Sequence, residues 1–133
     1  MTDTAPRHQQ RERALSLLYE AELKGQGPLQ VVDALPVPPD AYVRTLLEHA
    51  ADTRAEADRR IAGASVGWPL DRMAVVDRIV LRLALAELLD PDGPPTAVVI
   101  DEAVELVKEY STDESGRFVN GILSAIVTDI GPR

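Results

Sequence analysis

The chain has 133 residues, which is the size of one domain and is enough to bury a hydrophobic core without disulfides or metal ions. It contains no cysteine, which excludes disulfides and thiolate metal sites, and we expect a reducing compartment such as the cytoplasm. The formal net charge of −8 argues against indiscriminate binding to nucleic acid, because affinity for phosphate grows with the number of cations on the protein. Any surface that binds an anion must therefore be local.

Neither end of the chain nor its most apolar run predicts a membrane segment. The N-terminal stretch MTDTAPRHQQRER lacks the apolar core of a signal peptide, and charged residues interrupt the most apolar run, 73–89. We therefore predict no membrane span, a flexible N-terminal arm over residues 1–7 and a single helical domain over residues 8–130.

Apolar residues at helical spacing predict the helices of the N-terminal half. A first helix is predicted over 8–24, and a short helical turn follows over 29–35 before prolines break the pattern. Asp40 is positioned to cap a long third helix, in which Arg44 and Glu48 form an exposed pair four residues apart. The residues expected to face inward on the two long helices are Ala14, Leu17, Leu18, Ala21, Val43, Leu47, Ala50, Ala57 and Ile61.

The next predicted helix is apolar around most of its circumference, which is typical of the centre of a bundle. It follows Trp68-Pro69, extends to Leu89 and ends at the breaker DPDGPP, residues 90–95. Thr96 is positioned to cap the helix that comes after this breaker.

The segment from Val99 to Leu123 joins two amphipathic helices through a turn. Ser111 and Glu114 match a capping box, in which a hydroxyl and a carboxylate satisfy free backbone amides as the last helix begins. The chain shows no sustained two-residue alternation that would indicate a β-sheet. We therefore predict an all-α bundle of about six or seven helices.

Three ordered blocks of sequence carry a resemblance to a known family. They are RERALSLLYEAE at 11–22, GWPLDRMAVVDRIVLRLALAELL at 67–89, and the DEAVEL helix at 101–106 followed by FVNGIL at 118–123. With these blocks the chain resembles the NusB family of bacterial transcription antitermination factors over nearly its whole length. The resemblance implies the NusB-like helical fold and a function in binding RNA.

The motifs of common enzymes and metal sites are missing from the sequence. The two histidines, His8 and His49, are far apart and have neither HxxxH nor HExxH spacing. The phosphate-binding GxGxxG and GxxxxGK[ST] motifs and the GxSxG motif of serine hydrolases are absent, and no spacing singles out an acid and base pair. We therefore expect no enzymatic activity, no cofactor and no bound metal.

Cations at the start of the first helix form the first candidate RNA-binding group. Arg7, His8 and Arg11 fall near one face, because residues three and four apart are neighbours on a helix. From periodicity alone, the solvated start of an amphipathic helix is the better explanation. The resemblance favours RNA, because NusB proteins carry an arginine-rich motif here, although Gln9 and Gln10 stand where that motif often has basic residues.

The second candidate group lies around the turn before the last helix. Lys108 and Arg117 can grip phosphate, and the amides at a helix start suit an anion. Phe118 in isolation is more often a core residue, but the resemblance implies a position at the RNA surface, where an aromatic ring stacks on an unpaired base. Glu114 either accepts hydrogen bonds from base amines or caps the helix.

The resemblance also implies protein partners. NusB proteins pair with NusE, a ribosomal protein, and the pair recognises the boxA element of ribosomal RNA leaders in a complex with other Nus factors and RNA polymerase. Tyr19 and Asp77 match positions used toward NusE, and Glu102 and Glu105 add to an acidic surface suited to a basic partner. The alternatives place Tyr19 at the edge of the core and leave Asp77 solvated or paired with Arg78.

The leading hypothesis is a non-enzymatic adaptor that binds boxA-like single-stranded RNA together with NusE and supports read-through in ribosomal RNA operons. One alternative is a detached RNA-guiding module of the kind found in ribosomal RNA cytosine methyltransferases, whose cysteine nucleophile has no counterpart here. Another is a homodimeric interaction protein whose dimer covers the RNA surface. The sequence leaves the oligomeric state open.

Overall fold

The computed structural model describes residues 5–131, which form six α-helices and no β-strand. The helices are α1 (Arg7–Lys24), α2 (Pro28–Asp33), α3 (Ala41–Ala64), α4 (Val75–Leu88), α5 (Thr96–Tyr110) and α6 (Asp113–Ile130), and a 3₁₀ turn, Leu70–Arg72, precedes α4. The predicted all-α bundle is confirmed. Of the predicted N-terminal arm, residues 1–4 lie outside the described residues, while Ala5 donates its amide to Asp40 and Arg7 already belongs to α1.

Helix α4 lies at the centre of the bundle, as its apolar circumference predicts. It packs against α1, α3, α5 and α6, and Leu81, Leu83 and Leu85 are at most 2% exposed. Each such side chain contributes about 1.5–3 kcal/mol when it leaves water. All the residues that were expected to face inward from α1 and α3 are buried as well. No helix among residues 5–131 combines the length and the apolar character needed to cross a membrane.

The start of α6 differs from the predicted capping box. Thr112 is the residue before the helix, and its Oγ1 accepts a hydrogen bond from the Ser115 amide at 3.0 Å. The prediction that Ser111 and Glu114 form the box is therefore wrong by one residue. The Ser111 hydroxyl instead lies 3.0 Å from the Ser115 hydroxyl, and Glu114 is exposed in the first turn, where its charge suits the helix dipole.

Two further predicted caps are also wrong. Asp40 precedes α3, but its Oδ2 accepts hydrogen bonds from the Ala5 amide and the Gln10 Nε2, each at 3.2 Å, instead of capping α3. Both donors come from the N-terminal part of the chain. The sequence around Asp40 does not predict that they lie close to it. Thr96 is the first residue of α5, and Pro95 precedes it.

Candidate nucleic-acid interface

Arg7 lies exposed at the first position of α1, above an aromatic ring of α3. Its guanidinium carbon is 3.7 Å from the centroid of the Tyr42 ring, which is a cation–π contact. The Arg7 Nη1 also donates to Gln10 Oε1 at 2.5 Å. The ring therefore supports the arginine side chain at the edge of the bundle.

His8 lies half-buried between α1 and α5, surrounded by carboxylates. Its Nδ1 is 2.8 Å from Glu102 Oε2, and its Nε2 is 3.5 Å from Glu109 Oε2 and 3.9 Å from Glu12 Oε2. The hydrogen bond to Glu102 raises the pKa of His8, and the charges of the three glutamates add to it and outweigh the lowering caused by burial. When His8 is protonated, three carboxylates surround its positive charge. Their negative charge opposes direct contact between His8 and a phosphate.

Arg11 is buried, and this corrects its predicted place at an exposed RNA surface. Its side chain is 4% exposed, and Nε and Nη2 donate to the two carboxylate oxygens of Glu87 at 2.9 Å each. The hydroxyl of Tyr42 donates to the same carboxylate at 2.6 Å. The guanidinium therefore joins α1 to α4 and does not face solvent.

The second predicted group is brought together where α5 ends and α6 begins. Lys108 is exposed, and its side-chain carbons lie over Gly116, where an added Cβ would be only 3.1 Å from Lys108 Cγ and Cε. Arg117 is exposed beside it, and Phe118 is partly buried against the core. Among residues 5–131, neither Lys108 nor Arg117 forms an ion pair with a carboxylate. This junction therefore presents two exposed cations that form no ion pair in the described part of the chain, near an aromatic ring.

The two groups of candidate RNA-binding residues flank α5 on different sides. Glu102 and Glu109, which contact His8, are separated by about 20° around the helix axis, whereas Lys108 is about 120° from Glu102. The exposed Glu105 lies between these directions. The α1 start and the α5–α6 junction are therefore separate cationic edges with acidic residues between them.

A groove of about 460 Å³ lies between α1, α4 and the end of α5. Its lining comprises Glu12, Leu15, Ser16, Tyr19, Val76 and Tyr110. Tyr19 is 38% exposed and Tyr110 is 48% exposed, and the Tyr110 hydroxyl donates to Glu12. Tyrosines are enriched in protein interfaces, where the ring is buried and the hydroxyl finds a hydrogen-bond partner. Of the other predicted partner residues, Glu105 is exposed and Glu102 is engaged by His8.

Asp77 is 6% exposed, so its predicted direct contact with a protein partner does not agree with its burial. Its Oδ2 accepts a hydrogen bond from the Ser115 hydroxyl at 2.8 Å, and its Oδ1 has no hydrogen-bond partner among residues 5–131. The two alternatives from the sequence, a solvated carboxylate or a pair with Arg78, are also wrong. Arg78 instead donates to the Leu70 carbonyl at 3.1 Å. Asp77 ties the start of α4 to the start of α6.

Two tyrosines that no sequence pattern identifies hold other side chains in place on these surfaces. Tyr42 supports Arg7 and anchors Glu87, and Tyr110 forms one wall of the groove and anchors Glu12. Tyr110 is the last residue of α5 and is 48% exposed. Both roles depend on contacts between distant helices, for which the local pattern holds no signal.

The described residues define a small all-α binding protein. Its charged edges and its groove lie on outer faces of a packed helical bundle. The family model described as the NusB family matches residues 8–128. The chain belongs to the NusB family.

Individual relatives agree with this assignment. The transcription antitermination protein NusB of Saccharopolyspora erythraea is 46% identical over 133 residues, covering 96% of this chain and 89% of that protein. The structure of T. maritima NusB matches with a TM-score of 0.85 at 34% identity, covering 96% of this chain and 94% of the other. A chain in a crystal structure described as antitermination factors NusB and NusE in complex with dsRNA matches with a TM-score of 0.74 at 31% identity, covering 92% and 96%.

Proposed function

We propose that this protein is a transcription antitermination factor that binds boxA-like single-stranded RNA together with NusE and supports read-through in ribosomal RNA operons. It acts as an adaptor without catalysis, in a cytoplasmic complex with other Nus factors and RNA polymerase. The observation that carries the proposal is the α5–α6 junction, where Lys108 and Arg117 are exposed near Phe118 and form no ion pair within the described range 5–131, on a chain of net charge −8.

The RNA contacts follow from the chemistry of these residues. Lys108 and Arg117 each engage a phosphate, and the exposed part of Phe118 stacks on an unpaired base. Arg7 supplies a third phosphate contact from the start of α1. Glu114, which does not cap α6, accepts from the exocyclic amine of a base, and His8 acts indirectly by fixing the first turn of α1 against α5.

The NusE contacts are assigned to the groove that contains Tyr19. An acidic chain attracts a basic ribosomal protein, and Glu105 on the exposed face of α5 adds to that attraction. In this assignment Arg11 and Asp77 act through the fold, because both are buried and hydrogen-bonded to other helices.

A titration of fluorescently labelled boxA-like RNA tests the proposal. The protein is titrated alone and in an equimolar mixture with NusE, against the single strand, a scrambled single strand and the duplex of the same sequence. The single strand of the correct sequence binds best, and NusE strengthens that binding. Three phosphate contacts predict a slope of about −2 in a plot of log affinity against log salt, at roughly −0.7 per contact.

Variants locate the contacts. Lys108→Ala, Arg117→Ala and Arg7→Ala each weaken binding and reduce the magnitude of the salt slope by about 0.7. Phe118→Leu weakens binding and leaves the slope unchanged. Arg59→Ala is the matched control, because Arg59 is 71% exposed on α3 and far along the chain from both edges. Equal binding of the scrambled strand, or variants that all bind like the control, would refute the proposal.

A further inference from the structure

Three potential metal ligands converge where α1 passes α5. His8, Glu12 and Glu109 each offer one ligand atom, and these atoms all lie within 4.8 Å of one another. The His8 Nε2 is 3.5 Å from Glu109 Oε2 and 3.9 Å from Glu12 Oε2. The two carboxylates come from different helices and face the same nitrogen of the ring.

Two neighbouring side chains fix the direction of these ligands. Glu102 Oε2 lies 2.8 Å from His8 Nδ1, so in the neutral ring the proton sits on Nδ1 and the lone pair of Nε2 points toward Glu12 and Glu109. The Tyr110 hydroxyl donates to Glu12 Oε2. A histidine that binds a metal through one nitrogen characteristically donates its other N–H to a carboxylate, and its carboxylate neighbours are hydrogen-bonded in turn.

The charge balance of the cluster also points to a cation. Among residues 5–131, no lysine or arginine forms an ion pair with Glu12, Glu102 or Glu109. Among residues 5–131, His8 is the one basic side chain within 4.0 Å of these carboxylates. With a neutral imidazole, Glu12 and Glu109 therefore have no cation within that distance among the described residues, whereas the charge of Glu102 also acts on Arg11.

We propose that His8, Glu12 and Glu109 bind one divalent transition-metal ion, with Zn²⁺ as the preferred ion and water in the fourth position. Ligand atoms around tetrahedral Zn²⁺ lie about 3.3–3.5 Å apart, so the observed separations need only small side-chain movements. One imidazole nitrogen and two carboxylate oxygens suit Zn²⁺, whereas Mg²⁺ and Ca²⁺ require shells of oxygen. The separation of the two histidines in the sequence predicts no metal site, but this set needs only one histidine.

Such an ion would add a further link between α1 and α5, which the His8–Glu102 and Tyr110–Glu12 hydrogen bonds already join here. The proposal does not depend on RNA binding, because the ligand set is complete within this chain. The first test is calorimetric titration of the full-length chain, without a histidine tag, with ZnCl₂ after treatment with chelator. We expect one ion per chain, and a midpoint of thermal unfolding raised by at least about 5 °C when free Zn²⁺ exceeds the Kd about 100-fold. MgCl₂ produces neither effect.

Variants assign the site. His8→Gln and Glu109→Gln abolish the one-ion binding, and Glu102→Gln weakens it by about 10–100-fold, because Glu102 orients the ring without binding the ion. The control is His49→Gln, since His49 lies 3.5 Å from the single carboxylate of Asp90, and this variant binds Zn²⁺ like the parent. Circular dichroism confirms that each variant is helical. Absence of saturable binding in the folded parent, or unchanged binding in His8→Gln and Glu109→Gln, would overturn the proposal.

Discussion

Arg11 and Glu87 form a two-pronged ion pair inside the bundle, with Nε and Nη2 each 2.9 Å from a separate carboxylate oxygen. Both side chains are 4% exposed. The pair joins α1 to α4, and the hydroxyl of Tyr42 attaches α3 to the same carboxylate. A residue that belongs to a predicted arginine motif therefore holds three helices together.

Arg11→Met should destabilise the protein strongly. The substitution leaves the Glu87 carboxylate buried without its charged partner, which costs about 3–5 kcal/mol in comparable cases. Urea unfolding followed by circular dichroism measures this loss. Arg59→Met on α3 is the matched control and should change stability by less than about 0.5 kcal/mol. A loss below about 1 kcal/mol for Arg11→Met would contradict the importance of the pair.

Replacing both charges should restore most of that stability. A buried ion pair can often be exchanged for apolar side chains of similar volume at little cost, because the desolvation of both charges disappears together. We therefore expect Arg11→Met with Glu87→Met to be more stable than either single variant, with Tyr42→Phe present in all four chains so that the hydroxyl bound to Glu87 does not enter the comparison. A double-mutant cycle of unfolding free energies checks the coupling. Simple addition of the two single losses would argue against it.

The raised pKa of Tyr42 predicts that the protein loses stability at alkaline pH. Burial, with the hydrogen bond to Glu87, raises the pKa of Tyr42 to about 12, while the unfolded chain releases this proton near pH 10. The folded state therefore binds more protons between these values, so this contribution is complete below pH 10 and declines as the pH rises toward 12. The difference in unfolding free energy between the parent and Tyr42→Phe should shrink from pH 9 to pH 11. Tyr110, whose pKa is also about 12, is present in both chains and cancels.

Thr112→Ala should cost about 1 kcal/mol of stability, because it removes the side chain that accepts the Ser115 amide at the start of α6. Thr128→Ala is a suitable control within the same helix. The hydroxyl of Thr128 is exposed and donates to the Ser124 carbonyl, so its removal should be nearly neutral. Equal losses in the two variants, measured by urea unfolding, would show that Thr112 does not act as the cap.

Asp77→Ala should lower the unfolding free energy by about 1 kcal/mol, because the buried hydroxyl of Ser115 loses its carboxylate acceptor and keeps the hydroxyls of Ser111 and Thr112, each at 3.0 Å, as weaker partners. Ser115→Ala removes the other partner of the same bond. The double variant should therefore lose less than the sum of the two single losses. Strict additivity would indicate that the two residues act separately.

Local information was sufficient to predict most of the fold. The inward stripe of α3 and the apolar circumference of α4 are properties of short segments, and both were correct because packing of an apolar face decides the position of a helix. The capping error at α6 arose where two hydroxyl residues are adjacent. Ser111 and Thr112 have similar capping propensity, and only the path of the chain selects Thr112.

The candidate site was less predictable, because its residues are paired across the fold. Spacing placed Arg7, His8 and Arg11 near one face, but Arg11 turns inward to Glu87 and His8 turns toward Glu102. Those carboxylates belong to α4 and α5, and no local pattern in α1 identifies them. Burial of a charged side chain can be recognised only when its partner is known.

Gly116 is uncharged, but its lack of a side chain affects where the charged side chain of Lys108 lies. The lysine side chain packs closely over Gly116, since an added Cβ would lie 3.1 Å from two of its side-chain carbons. Alanine at this position would require that side chain to shift by a few tenths of an ångström and would leave the protein's net charge unaltered. The position of a charged side chain therefore depends here on the volume of an uncharged neighbour, at a residue that no comparison of ionisable groups would reveal.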